Sequence, residues 1–153
     1  MTGILDGLKV IDCGSFIAAP VAGSVLGDFG ADVIKIEPPG MGDAYRHVTR
    51  NPGMPKSEHN YAWLLDNRNK RGLALNLASP EGQEVLHKLI RDSDVFITNQ
   101  PLAIRKKLGI DYETLSALNS RLIYASFTGY GETGSEAGKP GFDLTAYWAR
   151  SGL

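Results

Sequence analysis

The sequence predicts an α/β fold: a Rossmann-like, doubly wound sheet whose strands run mainly parallel. Three observations carry this reading. Short apolar runs alternate along the chain with stretches of helical periodicity. The first strand, helix and strand close within about 30 residues, the span of one βαβ unit with a right-handed crossover. Turns bearing Gly, Ser or Asn follow the apolar runs, at the strand ends where such sheets hold ligands.

Taken in order, LKVIDC at 8–13 reads as the first strand. Residues 18–29 form a helix with Val21, Val25, Leu26 and Phe29 at helical spacing, stopped by Gly30. DVIKIE at 32–37 is the second strand, closed by Pro38, Pro39 and Gly40. Residues 39–68 read as one long irregular stretch, of the kind that is usually functional. LALNL at 73–77 alternates as a strand does. Ser79, Pro80 and Glu81 open a helix as N-cap, N1 proline and first-turn acid, and Val85, Leu86, Leu89 and Ile90 give it an apolar face with His87 on the polar side. A buried strand follows at 95–98, a short helix at 104–108 ending at Gly109, and a helix capped by Asp111 running to Leu118. LIYASF at 122–127 is the last strand, before the turn Thr128, Gly129, Tyr130, Gly131. From Leu144 to Ala149 a new apolar segment begins, helix or strand.

The 153 residues suffice for one domain over 1–153 that buries roughly two-thirds of its unfolded surface. A hydrophobic content of 42% against 22% charged is that of a globular chain. The net charge of −1 supplies no global field for nucleic acid or an anionic membrane, so an anion site has to be local. Cys13 is the single cysteine, which excludes an internal disulfide and a thiolate metal cluster. The stretch MTGILDGLKV has neither the charged nor the apolar region of a signal peptide, and no apolar run approaches the ~20 residues of a membrane span. The expectation is a soluble, cytoplasmic protein.

Several residues could carry chemistry. Glu37 ends the second strand about twenty residues after the first βα turn, where a dinucleotide-binding fold keeps its ribose acid. That turn is GSFIAAP, however, and Ile17 and Pro20 stand in place of the glycines that let a pyrophosphate approach the backbone. Two basic clusters stand out: Arg68, Lys70 and Arg71 before one strand, and Arg105, Lys106 and Lys107 after the next. They are either solvated faces or the two flanks of one phosphate-binding edge, with Arg71 and Lys107 as the paired anion contacts. Phosphates and adenine without a glycine fingerprint point to a nucleotide of the coenzyme A type. His47, His59 and His87 are dispersed and make no metal motif. Asp143, between Phe142 and Leu144, is either a surface turn acid or a carboxyl of raised pKa that acts on a thioester carbonyl.

The blocks LDGLKVIDCGSFIAAPVAGSVLGDFGADVIKIEPPGMGD, NRNKRGLALNLASPEG, DVFITN, KKLGIDYETLSALNSRLIYASFTGYGETG and KPGFD, in this order and across essentially the whole chain, resemble the family III CoA-transferases. That group includes formyl-CoA and carnitine-type transferases, with α-methylacyl-CoA racemase as a relative. The resemblance implies that this chain is the CoA-binding N-terminal portion of a longer fold. It implies that the nucleophilic aspartate lies beyond Leu153, so that the chain alone is inactive. Substrates would be an acyl-CoA and a carboxylic acid, with no permanently bound cofactor, no metal, and no nucleic-acid or membrane partner. The assembly would be an interlocked homodimer. The chemistry would run through an aspartyl anhydride and an enzyme–CoA thioester.

Position by position, the resemblance puts Ile17 and Ala18 beside the CoA tail and thioester. Ile17 stands where some transferases carry glutamine, and Pro38 where the family can carry an adenine-contacting arginine. Leu75, Leu77 and Ala78 match the adenine-contacting strand end, and Asn99 and Lys107 match CoA-binding positions. Phe142 and Asp143 match the active-site block, Asp143 as a supporting group. The racemases have a histidine at the Phe142 position, and phenylalanine cannot exchange a proton, so transferase chemistry is favoured. Two other readings remain: a non-enzymatic product of a truncated or split gene that binds a CoA nucleotide or a partner, and an NAD-binding Rossmann protein, disfavoured by GSFIAAP.

Overall fold

Strands this short and this apolar need cover on both faces, which a parallel sheet with crossover helices provides. The computed structural model describes residues 3–142 and 144–152. Five strands, β1 (Lys9–Asp12), β2 (Asp32–Glu37), β3 (Lys70–Ala74), β4 (Val95–Thr98) and β5 (Ile123–Ser126), lie in the order β3-β2-β1-β4-β5. Every neighbouring pair is parallel. The chain therefore winds outward from β1 in one direction, then crosses to β4 and winds in the other. The switch point falls between β1 and β4.

Side chains alternate across each strand and so feed two cores. Val10, Val33, Val95 and Ile97 pack with Ala19 of α1 (Ala18–Asp28) on one face. Ile11, Ile36 and Phe96 pack on the other with Leu86 and Ile90 of α3 (Pro80–Ile90) and Leu115 of α5 (Tyr112–Leu118). Gly30, at φ 105, takes the left-handed conformation that stops α1, as its position after Phe29 predicts. Ser79 caps α3 by accepting from Gly82 N at 3.3 Å, and Asp111 caps α5 by accepting from Thr114 N at 3.0 Å.

The structure departs from expectation at four places. The strand expected at 73–77 is paired at Lys70–Ala74, because β2 aligns with those residues: Val33 faces Lys70 and Glu37 faces Ala74. Leu75 N still donates to Glu37 O at 2.9 Å, after which Asn76 turns the chain. The stretch expected to be irregular holds a 3-10 helix (Ala44–Arg50), capped by Asp43, and α2 (Tyr61–Asp66), capped by Asn60. The helix expected at 104–108 is the single turn α4 (Leu102–Arg105). Val85, expected on the apolar face of α3, is exposed. The terminal apolar segment is helical, a π turn (Leu144–Trp148) running into α6 (Ala149–Ser151), with Leu144, Tyr147 and Trp148 exposed.

Candidate functional site

The crevice of a doubly wound sheet opens at the carboxyl ends of the strands flanking the switch point, here β1 and β4. Two residues stitch its walls together. The Asn99 amide accepts from Ser15 N at 2.8 Å and donates to Ser15 O at 2.8 Å. Thr98 Oγ1 donates to Cys13 O at 3.4 Å and accepts from Gln100 N at 3.1 Å. Beyond this stitch the loop rises to Phe16, Ile17 and Ala18, all exposed, and α1 begins. Ile17 occupies the cap position of α1 and its side chain has no acceptor to offer, so the helix start has no side-chain cap.

A buried charge network holds this loop from beneath. Lys35, 2% exposed in the middle of β2, donates to Gly14 O and pairs with Asp43 Oδ2 at 3.2 Å and Asp12 Oδ1 at 3.9 Å. Lys70 pairs with Asp12 Oδ2 at 2.8 Å and donates to Pro20 O at 2.6 Å. Burial depresses the Lys70 ammonium below its ordinary value of 10.5, and the charge of Asp12 opposes that. Asp43 Oδ1 takes the N–H of Phe16 at 3.2 Å and that of Tyr45 at 3.0 Å, tying the first loop to the 3-10 helix. Phe16 sits at φ 62, an uncommon and costly conformation for a bulky residue. Its ring packs at 5.8 Å from both Tyr45 and Phe142.

Glu37 is engaged as well. Its carboxylate accepts two bonds from Arg46 at 2.7 Å and one from Asp43 N at 2.9 Å, while Arg46 stacks over Trp63 at 3.8 Å. Burial alone would raise the Glu37 carboxyl, but Arg46 and the Asp43 N–H outweigh it and hold it below the usual range. A ribose hydroxyl would have to displace a bidentate guanidinium there, so the ribose-acid role is taken. The Cys13 thiol is pushed up to about 12 by burial, against the opposing charge of Lys35, and is therefore an inert core group.

The nominated positions fall at successive strand ends. Ile17 and Ala18 follow β1, Pro38 follows β2, Leu75, Leu77 and Ala78 follow β3, and Asn99 and Lys107 follow β4. Pro38, Ala78 and Lys107 are exposed, while Leu75, Leu77 and Asn99 are half-buried. The exposed Phe142 meets Phe16; Asp143 lies outside the described residues.

The two basic clusters do not flank one edge. Arg71 pairs with Asp32 at 2.6 Å, the first residue of β2, which puts it at the amino ends of the strands, opposite the crevice. Arg68 pairs with Asp28 at 2.5 Å, at the end of α1, and Lys70 is turned inward. In the second cluster Arg105 is only 4% exposed and pairs with Glu132 Oε1 at 2.7 Å, while its Nη2 has no hydrogen-bond partner among the described residues. Lys106 and Lys107 are exposed. Among the described residues no group of three or more His, Cys, Asp or Glu could hold a metal ion, and no helix is long and apolar enough to cross a membrane.

Sequence reasoning missed Asp12, Lys35 and Asp43. One signal was available: a lysine between Ile34 and Ile36, in a strand covered on both faces, has to find a buried partner.

Comparison with known proteins shows the family and the fold. The family described as CoA-transferase family III matches residues 5–153. The chain is 44% identical over 153 residues to cinnamoyl-CoA:phenyllactate CoA-transferase of Clostridium sporogenes, covering 99% of this chain and 37% of that protein. It is 44% identical over 151 residues to (R)-2-hydroxy-4-methylpentanoate CoA-transferase of Clostridioides difficile, covering 98% and 38%. A crystal structure of a CAIB/BAIF family protein from Brucella suis superposes with a TM-score of 0.85 at 39% identity, over 95% of this chain and 38% of that one. The chain thus spans well under half the length of the curated relatives it matches, and it belongs to CoA-transferase family III.

Proposed function

We propose that this chain is the coenzyme A-binding portion of a CoA-transferase that moves CoA between an acyl-CoA and a carboxylic acid. The observation that carries the proposal is topological. The CoA-binding residues that the family resemblance nominates, Ile17, Ala18, Pro38, Leu75, Leu77, Ala78, Asn99 and Lys107, belong to four different segments that follow β3, β2, β1 and β4, contiguous in the sheet.

In this reading the nucleotide lies along that edge. Leu75, Leu77 and Ala78 contact the adenine, Pro38 borders it, and Lys107 meets a phosphate by a charge-assisted hydrogen bond. The pantetheine arm runs to Asn99, Ile17 and Ala18, where the uncapped first turn of α1 favours negative charge developing at the thioester oxygen. Phe142 seals the pocket against Phe16, and Asp143 orients the thioester carbonyl. The nucleophile is an aspartate outside this chain. It attacks the thioester carbonyl to give an acyl anhydride and expel CoA thiolate, which attacks the aspartyl carbonyl to give enzyme–CoA thioester and release the first acid. The acceptor carboxylate then reverses these two steps. The second copy of the chain in a dimer belongs to the same proposal.

Isothermal titration tests the binding half. CoA is expected to bind and NAD not, and Lys107→Ala is expected to weaken CoA by ~1–3 kcal/mol. Equal affinity for both nucleotides would overturn the reading.

A further inference from the structure

The two halves of the proposed nucleotide edge hang from strands that do not touch. Leu77 follows β3 and Lys107 follows β4, and β2 and β1 lie between those strands. Sheet pairing by itself leaves the spacing between the two segments unfixed. One side chain spans it. Gln83, in the first turns of α3, donates its amide Nε2 to Leu77 O at 2.9 Å and to Lys107 O at 2.9 Å. Both N–H groups of that amide are therefore spent on two backbone carbonyls thirty residues apart in sequence.

One turn further along α3, His87 Nε2 lies 2.8 Å from Gly109 O. A carbonyl only accepts, so this nitrogen carries the proton and donates. Gly109 is pressed against both side chains: a Cβ there would stand 2.9 Å from Gln83 Oε1 and 3.1 Å from His87 Nε2, and its φ is +66. The 107–109 turn is thus held by two hydrogen bonds from one helix face, while Lys107 is left exposed.

We propose that Gln83 is a positioning residue for the nucleotide end of the site: its amide sets the distance between the adenine-side turn at Leu77 and the phosphate-side turn at Lys107. Gln83 acts through those two backbones rather than by touching the ligand. The inference rests on the CoA-binding reading above.

The test is a double-mutant cycle on the 153-residue chain, with CoA binding read by isothermal titration. Gln83→Met keeps the length and removes both donors without adding charge. It is expected to weaken CoA about tenfold, the scale of one to two net hydrogen bonds. Lys107→Ala is the second arm. If Gln83 works by placing Lys107, adding Gln83→Met to Lys107→Ala costs far less than it costs alone, because contacting residues are not additive. Two results would overturn the inference and leave the CoA reading standing: Gln83→Met binds CoA as the parent does while Lys107→Ala is weakened, or the double variant shows the full product of the two single effects. Absence of CoA binding by the parent chain would remove the CoA reading and this inference together. A melting curve of Gln83→Met matching the parent separates lost placement from lost fold. If the variant melts early, Gln83→Leu repeats the cycle with the same criteria.

Discussion

Removing the Asp12 carboxylate should cost the fold more than any other single truncation on the carboxyl edge. Asp12 is fully buried at the end of β1, between two ammonium groups. Its Oδ2 holds Lys70 at 2.8 Å, and its Oδ1 takes Gly14 N at 2.9 Å and lies 3.9 Å from Lys35. In Asp12→Ala, Lys70 keeps only neutral acceptors, namely Pro20 O, Asp66 O and Asn67 Oδ1. Lys35 keeps the carboxylate of Asp43, so it is not the group that suffers most. Breaking a buried pair by removing one partner costs about 3–5 kcal/mol, because a buried charge is left uncompensated. The orphaned Gly14 N–H adds to that. Against a total stability of about 5–15 kcal/mol, this is about a fifth of the whole or more. Urea unfolding followed by circular dichroism measures it directly, and the melting temperature should fall by roughly 10 °C or more. Lys70→Met should be far milder. It deletes the desolvated ammonium and leaves Asp12 with Lys35 and Gly14 N. A loss below about 1 kcal/mol for Asp12→Ala, or a larger loss for Lys70→Met, would refute the reasoning.

Two further outcomes follow from the same structure. The folded state holds the Cys13 proton more tightly than the unfolded chain does, with the thiol raised from 9.0 to about 12 by burial. Its contribution to stability is therefore complete below about pH 9 and is lost as the pH climbs towards 12; melting temperatures recorded from pH 8 to 11 should fall, and Cys13→Ala should flatten that fall. The exposed Phe142, Leu144, Tyr147 and Trp148 form an apolar surface at the end of the described chain, and surfaces of this kind drive association; sedimentation velocity should show concentration-dependent self-association that Leu144→Ser with Trp148→Ser reduces, and a monodisperse parent monomer would contradict it.

What could be read from the sequence was what local forces decide. Residues 32–37 and 95–98 are strands in the structure as in the sequence, because both are rich in β-branched residues, unbroken by charge at 95–98 and interrupted at 32–37 by Lys35, which the fold buries against carboxylates. Ser79 and Asp111 announce their helices because a cap is a hydrogen bond made three residues away. Gly30 marks its helix end through its own backbone. The family, too, was legible, since its blocks run in order along the chain. Pairing across distance was not. LALNL alternates well enough to be a strand, yet β2 selects Lys70–Ala74, because an edge strand takes its register from its one neighbour. The 3-10 helix and α2 show no strong periodicity, and they form because Asp43 and Arg46 tie that segment to Glu37 and the first loop. Lys35, Lys70 and Arg71 carry the same charge in the sequence. Only the fold separates them, setting Lys35 and Lys70 against buried carboxylates beneath the crevice and Arg71 against Asp32 at the opposite edge. The physical reason is that a charge is given its role by its dielectric surroundings and its partner, and both are set by residues tens of positions away.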